Sequence, residues 1–222
     1  MKLLSGLDDT VLEALAPECC WRRYVAGQRV ISRDARDNDV YLIVSGRVRI
    51  TAFSGGGRQV TYRDVSAADW FGDLAAIDGL SRSADVEALE DTVLAVMTPV
   101  LFKRLVHDHP VVCDRVLERL TGFVRDLSER VFDFSTLSVS ARIQTEVLRL
   151  AREAGIDGNS ARIDPAPKHA DMASKVATYR EQVTREITAM VKQGLLERSG
   201  KTLVVPDVQR LERLISEGRR DA

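Results

Sequence analysis

The sequence is poor in the side chains that reactive centres use most. It has three cysteines; Cys19 and Cys20 are adjacent and Cys113 lies far away. That is an odd number, too few for a disulfide framework or for a cluster held by four thiolates, and it suits a reducing compartment. No role is assigned to Cys19 or Cys20. Histidine is as scarce, with three in all. His107-Asp108-His109 puts three ligand types in a row beside Pro110, but solvated surface residues account for the run and no metal is expected. His169 stands near the start of a helix, where a surface position is expected. No nucleophile has a histidine at a recognisable spacing, which argues against an enzyme. No apolar run is long enough to span a bilayer, and Asp8 and Asp9 interrupt Met1-Lys2-Leu3-Leu4 before a signal-peptide core forms. The expectation is a cytoplasmic protein with no membrane partner.

What is present is ordinary globular composition over 222 residues, enough for one large domain or two of usual size. The net charge of −1 is unevenly spread, with 17 Lys and Arg against 21 Asp and Glu in residues 1–137, and 15 against 12 in 138–222. A basic C-terminal part agrees with a polyanion partner but does not establish one.

From Trp21 to Met97 short β-rich segments alternate with turns: Val40–Val44, Val48–Thr51 and Val93–Val96 are strands, and Ser54-Gly55-Gly56-Gly57 is a hairpin turn. An antiparallel barrel or jelly roll is expected. Behind Pro110 a long helix carries Val116, Leu120, Phe123, Leu127, Val131 and Phe134 at steps of four, three, four, four and three, close to a coiled-coil seam. A second set, Val112, Leu117 and Val124, is expected to face the barrel, so the helix serves both its own domain and a second copy. After Ser138 the pattern turns helical, with segments at 141–154, 170–176 and 180–192. Residues 157–160 and 164–167 read as loops, and Leu195 to Val205 as a hairpin about Ser199-Gly200. Two close helices with a hairpin suggest a winged helix-turn-helix.

The stretch Phe71-Gly72-Asp73-Leu74-Ala75-Ala76-Ile77, followed by Ser81-Arg82-Ser83-Ala84, combines an anion site with a sugar site. Gly72 allows close backbone approach, and Leu74 to Ile77 is long enough for one helical turn whose free N–H groups point at an anion. Arg82 supplies a bidentate charge, Ser83 a hydroxyl donor, and Asp73 an acceptor for a ribose hydroxyl. This order resembles the phosphate-binding cassette of cyclic-nucleotide-binding domains, F-G-E-[LI]-A followed by P-R-[ST]-A. Asp73 stands where that family has Glu, and Ser81 where many members have Pro. The resemblance implies that Asp73 holds the ribose while Arg82 and Ser83 hold the cyclic phosphate.

The second motif runs from Asp171 to Arg185 and resembles the helix-turn-helix of the CRP/FNR family of bacterial regulators, whose second helix begins S-R-E-x-V-x-R. Tyr179 takes the place of the Ser, and Ala177 that of the Gly frequent at the turn. Arg180, Glu181 and Arg185 can reach base edges from a helix in a major groove, Arg favouring guanine and Glu the N4 donor of cytosine. Thr178-x-x-Glu181 is also a capping-box pattern that would engage the Glu181 carboxylate locally. Lys168, Tyr179 and Lys201 suit phosphate contacts.

Together the two motifs imply an α+β chain. A jelly-roll cyclic-nucleotide domain is expected over 1–108, a dimerisation helix over 109–137 and a winged helix-turn-helix over 138–222. The implied function is a homodimeric transcription regulator that binds double-stranded DNA, works with RNA polymerase and takes cyclic AMP or cyclic GMP as effector. Ser128 matches a position that meets the base in the family, and Leu127 replaces a polar neighbour there. The expected dimer interface is Val116, Leu120, Phe123, Leu127 and Val131. Two alternatives stay open: a related regulator indifferent to cyclic nucleotide, and a nucleotide-binding module that controls a protein partner.

Overall fold

The computed structural model describes residues 1–57 and 59–220. The chain divides into two compact units, Met1–Val124 and Arg125–Ala222, and the division falls inside the long helix. In the first unit, α1 (Asp9–Leu15) precedes β1 (Cys20–Tyr24), β2 (Arg29–Ile31), β3 (Val40–Ser45), β4 (Arg47–Phe53), β5 (Gln59–Ser66) and β6 (Trp70–Phe71). Then come α2 (Asp73–Asp78), β7 (Asp85–Ala88), β8 (Thr92–Met97), α3 (Pro99–Asp108) and the start of α4 (Pro110–Thr136). The strands form two four-stranded sheets, ordered β1-β8-β3-β6 and β2-β7-β4-β5. Every pairing is antiparallel, as a jelly roll requires.

Strand β3 shows why its sequence is an unbroken apolar run. Side chains alternate across a strand, and here both faces are covered. Tyr41 and Ile43 enter a cluster between the sheets with Val48, Val65, Phe71, Val86 and Leu94. Val40 and Leu42 point the other way, into a cluster with Leu101, Phe102, Leu105, Val112 and Val116 from α3 and α4. The turn from β3 to β4 needs Gly46: its φ is +87°, and a Cβ there would lie 2.4 Å from Thr92 Oγ1 and 2.6 Å from the Asp91 carbonyl. Thr98 starts α3, its hydroxyl accepting from Leu101 N at 3.2 Å, with Pro99 in the first helical position.

The long helix has the two apolar stripes expected, but they are divided differently. Val112 and Val116 are fully buried in the first unit's core, Leu120 packs against the same cluster, and Phe123 lies under the Arg63 guanidinium at 3.7 Å. Val116 is therefore unavailable to a second copy, contrary to expectation. Leu117 and Val124, expected to face the barrel, are 56% and 64% exposed, together with Leu127 at 52% and Val131 at 65%. The reason is angular. Val116 and Leu117 are one residue, about 100°, apart on the helix, so residue spacing alone does not say which stripe meets the barrel.

The second unit contains the rest of α4, then α5 (Val139–Ala154), β9 (Ile156–Asp157), β10 (Ser160–Ile163), α6 (His169–Lys175) and α7 (Arg180–Lys192). It closes with β11 (Glu197–Ser199), β12 (Thr202–Val205) and α8 (Val208–Arg220). Ser138 caps α5, its Oγ accepting from Ala141 N at 3.2 Å. Ile143, Val147 and Ala151 of α5 meet Val183, Ile187 and Met190 of α7, with Leu203, Val205 and Leu211 closing the core. The wing is a four-stranded sheet ordered β11-β12-β10-β9, so part of the segment expected to be a loop at 157–160 is strand.

Candidate functional site

At Gly72 the cassette backbone runs close to the start of β3 and to Arg82. Its φ is +90°, and a Cβ would stand 2.7 Å from the Asp39 carbonyl, 3.0 Å from Arg82 Nη1 and 3.3 Å from a Tyr41 ring carbon. Helix α2 follows directly, with Asp73 and Ala75 buried and Leu74 exposed. Tyr41 stacks on Phe71 with ring centroids 5.0 Å apart, and the Arg82 guanidinium lies 5.7 Å from the Tyr41 ring centroid.

Arg82 is only 3% exposed. Its Nη1 donates to the Gly72 carbonyl at 3.0 Å, and its Nη2 to the Asp39 carbonyl at 2.8 Å and to Asp37 Oδ2 at 2.7 Å. Its Nε is buried without an acceptor among the described residues. Tyr41 Oη also donates to Asp37 Oδ2, at 3.4 Å. Burial pushes the Asp37 carboxyl up, but the hydrogen bond and charge of Arg82, with Tyr41, outweigh it and hold the group below its ordinary range. Tyr41 is pushed up to about 12 by burial and by Asp37. Ser83 is exposed next to this cluster.

Asp73 differs from the expectation of a ribose acceptor. It is 2% exposed, and its Oδ2 accepts from Trp70 Nε1 at 3.2 Å and lies 3.6 Å from Arg119 Nε. Arg119 comes from α4, stacks 3.9 Å above the Trp70 ring, and also donates to Asp69 and to the Trp70 carbonyl. Aspartate is one methylene shorter than the family's glutamate, and in this structure it serves the link to α4. Burial raises Asp69, but the Arg119 charge, the Trp70 N–H and Lys2 lower it further, leaving a net depression. Nothing in the sequence marked Arg119 or Asp37, since neither belongs to a motif. Leu127 and Ser128 are exposed and lie beyond the division at Val124.

In the second unit α6 and α7 form a helix-turn-helix. The turn passes through Ala177 with φ +54°, a left-handed position where Ala stands in for Gly, and Thr178 N donates to the Ala173 carbonyl at 2.9 Å. Tyr179, not Thr178, is the N-cap of α7, and no side chain caps that end. The capping box expected at Thr178 and Glu181 is therefore out of register by one residue. Val183, Ile187 and Met190 bury one face of α7, leaving Arg180, Glu181 and Arg185 exposed on the other. Lys168 and Lys201 are also exposed, and Tyr179 is 65% exposed.

His169 proves to be an organising contact. The Thr184 hydroxyl donates to the Arg180 carbonyl at 3.0 Å, so His169 Nδ1, at 2.7 Å, is the donor to Thr184 Oγ1. That leaves Nε2 to accept from Arg198 at 3.3 Å. Burial, then Arg198 and Arg180, lower its pKa and favour this neutral form. One ring thus ties α6, α7 and the wing.

Among the described residues, no group of three or more His, Cys, Asp or Glu side chains is placed to hold a metal. No described helix is long and apolar enough to cross a membrane. All three cysteines are free thiols.

Comparison with known proteins places both sites in context. Residues 21–109 match the model of the cyclic nucleotide-binding domain, and residues 141–214 that of the Crp-like helix-turn-helix domain. The CRP-like cAMP-activated global transcriptional regulator of Mycobacterium tuberculosis is 22% identical over 212 residues, 95% of each chain. The cAMP-activated global transcriptional regulator CRP of Salmonella typhimurium is 25% identical over 202 residues, covering 89% of this chain and 94% of that one. Among solved structures, the c-di-GMP responsive global regulator CLP of Xanthomonas campestris superposes with a TM-score of 0.77 at 20% identity, covering 89% of this chain and 99% of that one.

Proposed function

Starting from the CRP/FNR family of DNA-binding transcription regulators, to which this chain belongs, we propose that it is a homodimeric regulator whose DNA affinity is set by cyclic AMP or cyclic GMP. The observation that carries the DNA side is the two-faced α7, buried through Val183, Ile187 and Met190 and presenting Arg180, Glu181 and Arg185 to solvent. Those three residues read bases in a major groove, while Lys168, Tyr179 and Lys201 meet phosphates. Dimerisation through the exposed stripe of α4 places two such helices on successive grooves, and RNA polymerase is the partner at the promoter.

On the effector side, Arg82 and Ser83 take the cyclic phosphate against the backbone of Gly72, Leu74 and Ala75. Leu127 and Ser128 are assigned to the base on resemblance. Asp73 is a positioning residue that links the cassette to α4 through Arg119. The ligand acts by population shift, favouring the dimer form that fits DNA. A regulator indifferent to cyclic nucleotide is the second reading, favoured by the internal partners already held by Arg82 and Asp73.

Footprinting on genomic fragments with no ligand, cyclic AMP or cyclic GMP tests both. Paired, inverted protected half-sites whose affinity rises with one nucleotide are expected. A site whose affinity ignores both nucleotides selects the second reading, and no protected site under any condition overturns the proposal.

A further inference from the structure

We propose that Asp37 is a resident anion for the phosphate position of the cassette, so that a cyclic nucleotide binds by displacing the Asp37 carboxylate from Arg82. This rests on, and deepens, the cyclic-nucleotide reading above.

Asp37 belongs to the loop between β2 and β3 and reaches a guanidinium 45 residues away in the chain. The loop is stitched to the cassette just before the contact. Asp34 N donates to the Arg82 carbonyl at 3.0 Å, Arg82 N donates to the Ala35 carbonyl at 2.9 Å, and Arg33 N donates to Asp85 Oδ1 at 3.1 Å. Asp34 takes a left-handed φ of +66° where the chain turns. The carboxylate is thus delivered to Arg82 by a framed loop.

The pair is asymmetric. The Arg82 side chain is 3% exposed and that of Asp37 is 46% exposed, so the cation is inside and the acid stands at the mouth. The Gly72 and Asp39 carbonyls fix the guanidinium plane without neutralising it, and Asp37 supplies the compensating charge. A buried cation without a counter-ion is costly, and Asp37 supplies that counter-ion. A cyclic phosphate carries the same single negative charge. Both anions near one guanidinium would repel, so the incoming phosphate replaces the carboxylate, which swings into water from its exposed side. The apparent affinity is then the intrinsic affinity scaled by the fraction of molecules with Asp37 released.

Calorimetry on the full chain, wild type against Asp37→Asn, with cyclic AMP and with cyclic GMP, tests this. Asn keeps an acceptor oxygen for Arg82 and loses the charge; Asp37→Ser, with a hydroxyl acceptor, is the second variant should Asn not fold. The variant should bind at least about tenfold more tightly, the scale of one charge-assisted hydrogen bond. Binding by the variant alone also supports the displacement, and it is then nucleotide control of the native chain that falls. Equal or weaker binding by the variant overturns the displacement and leaves the nucleotide reading standing. If neither protein binds either nucleotide, that reading falls, and inorganic phosphate decides the displacement through tryptophan-monitored unfolding midpoints. A larger rise for Asp37→Asn than for wild type upholds it, and equal rises overturn it.

Discussion

Arg119→Met is the most direct probe of how the cassette is joined to the long helix. The side chain of Arg119 is 8% exposed and serves three groups: Asp69, the Trp70 carbonyl and Asp73. Met fills much of the same volume along the helix but supplies no charge. Asp73, whose side chain is 3% exposed, would keep Trp70 Nε1 as a donor and lose its counter-ion. Removing one partner of a buried pair costs about 3–5 kcal/mol, because the remaining charge stays desolvated. The lost stacking on Trp70 adds about 1 kcal/mol. Both tryptophans of the chain, Trp21 and Trp70, lie in the first unit, so fluorescence in a urea titration reports that unit without interference from the second. The double variant Arg119→Met/Asp73→Asn removes the stranded charge and should recover at least about 2 kcal/mol relative to the sum of the single changes. The same network has a pH signature. Asp69 titrates below its ordinary value when folded, so it contributes stability above the unfolded carboxyl range, lost as pH falls through the depressed folded value. Arg119→Met should flatten that acid limb. A variant that unfolds at the wild-type urea concentration with an unchanged acid limb would refute the account.

Four further outcomes concern the second unit and the long helix. Ala177→Gly should relieve the left-handed turn and stabilise the second unit by about 0.5–1 kcal/mol, seen as a higher midpoint by circular dichroism; a lower midpoint rejects the strain. In competition binding, Arg185→Ala should cost about 1–3 kcal/mol on the specific site and relax preference at one base position, whereas Lys201→Ala should weaken all sequences evenly and lower the salt slope by about one. Leu127→Asp should yield monomers in sedimentation with the fold intact. Phe123→Asp should instead destabilise the first unit, since Phe123 packs beneath Arg63 and Arg119.

Much of the architecture is legible in local signals. Strands β3, β4 and β8, the glycine turn after Phe53, the start of α4 at Pro110 and the helix-turn-helix all follow from alternation, turn residues or helical spacing. The candidate sites are legible as motifs and not as charge balances. Arg82 stands in a recognisable cassette, but Asp37 reaches it through a loop and Arg119 reaches Asp73 from another helix, and no spacing rule links such residues. Helix α8 is not among the expected elements, although Leu211 and Ile215 fall on one face of it. The N-cap at Tyr179 shows a subtler limit. The left-handed Ala177 sets where helical backbone resumes, and the capping pattern one residue earlier has no influence on it.

The uneven anchoring of α4 has a consequence in time as well as in space. Its buried residues are Val112 and Val116, in the first two turns, while Val124, Leu127 and Val131 in its later turns are more than half exposed. The later turns are held by polar and ring contacts, Arg130 donating to the Lys175 carbonyl and Phe134 lying beside Arg142, but bury no apolar side chain. Such a stretch opens sooner than one locked in a core. Amide exchange along α4 should therefore run from slow near Val112 to fast beyond Val124 in dilute protein. If the proposed dimer forms through this stripe, the fast end should slow as concentration rises, because pairing would cover it. The exchange rate of the amides at the end of one helix would then be a direct clock for assembly, readable without DNA, effector or any change to the chain.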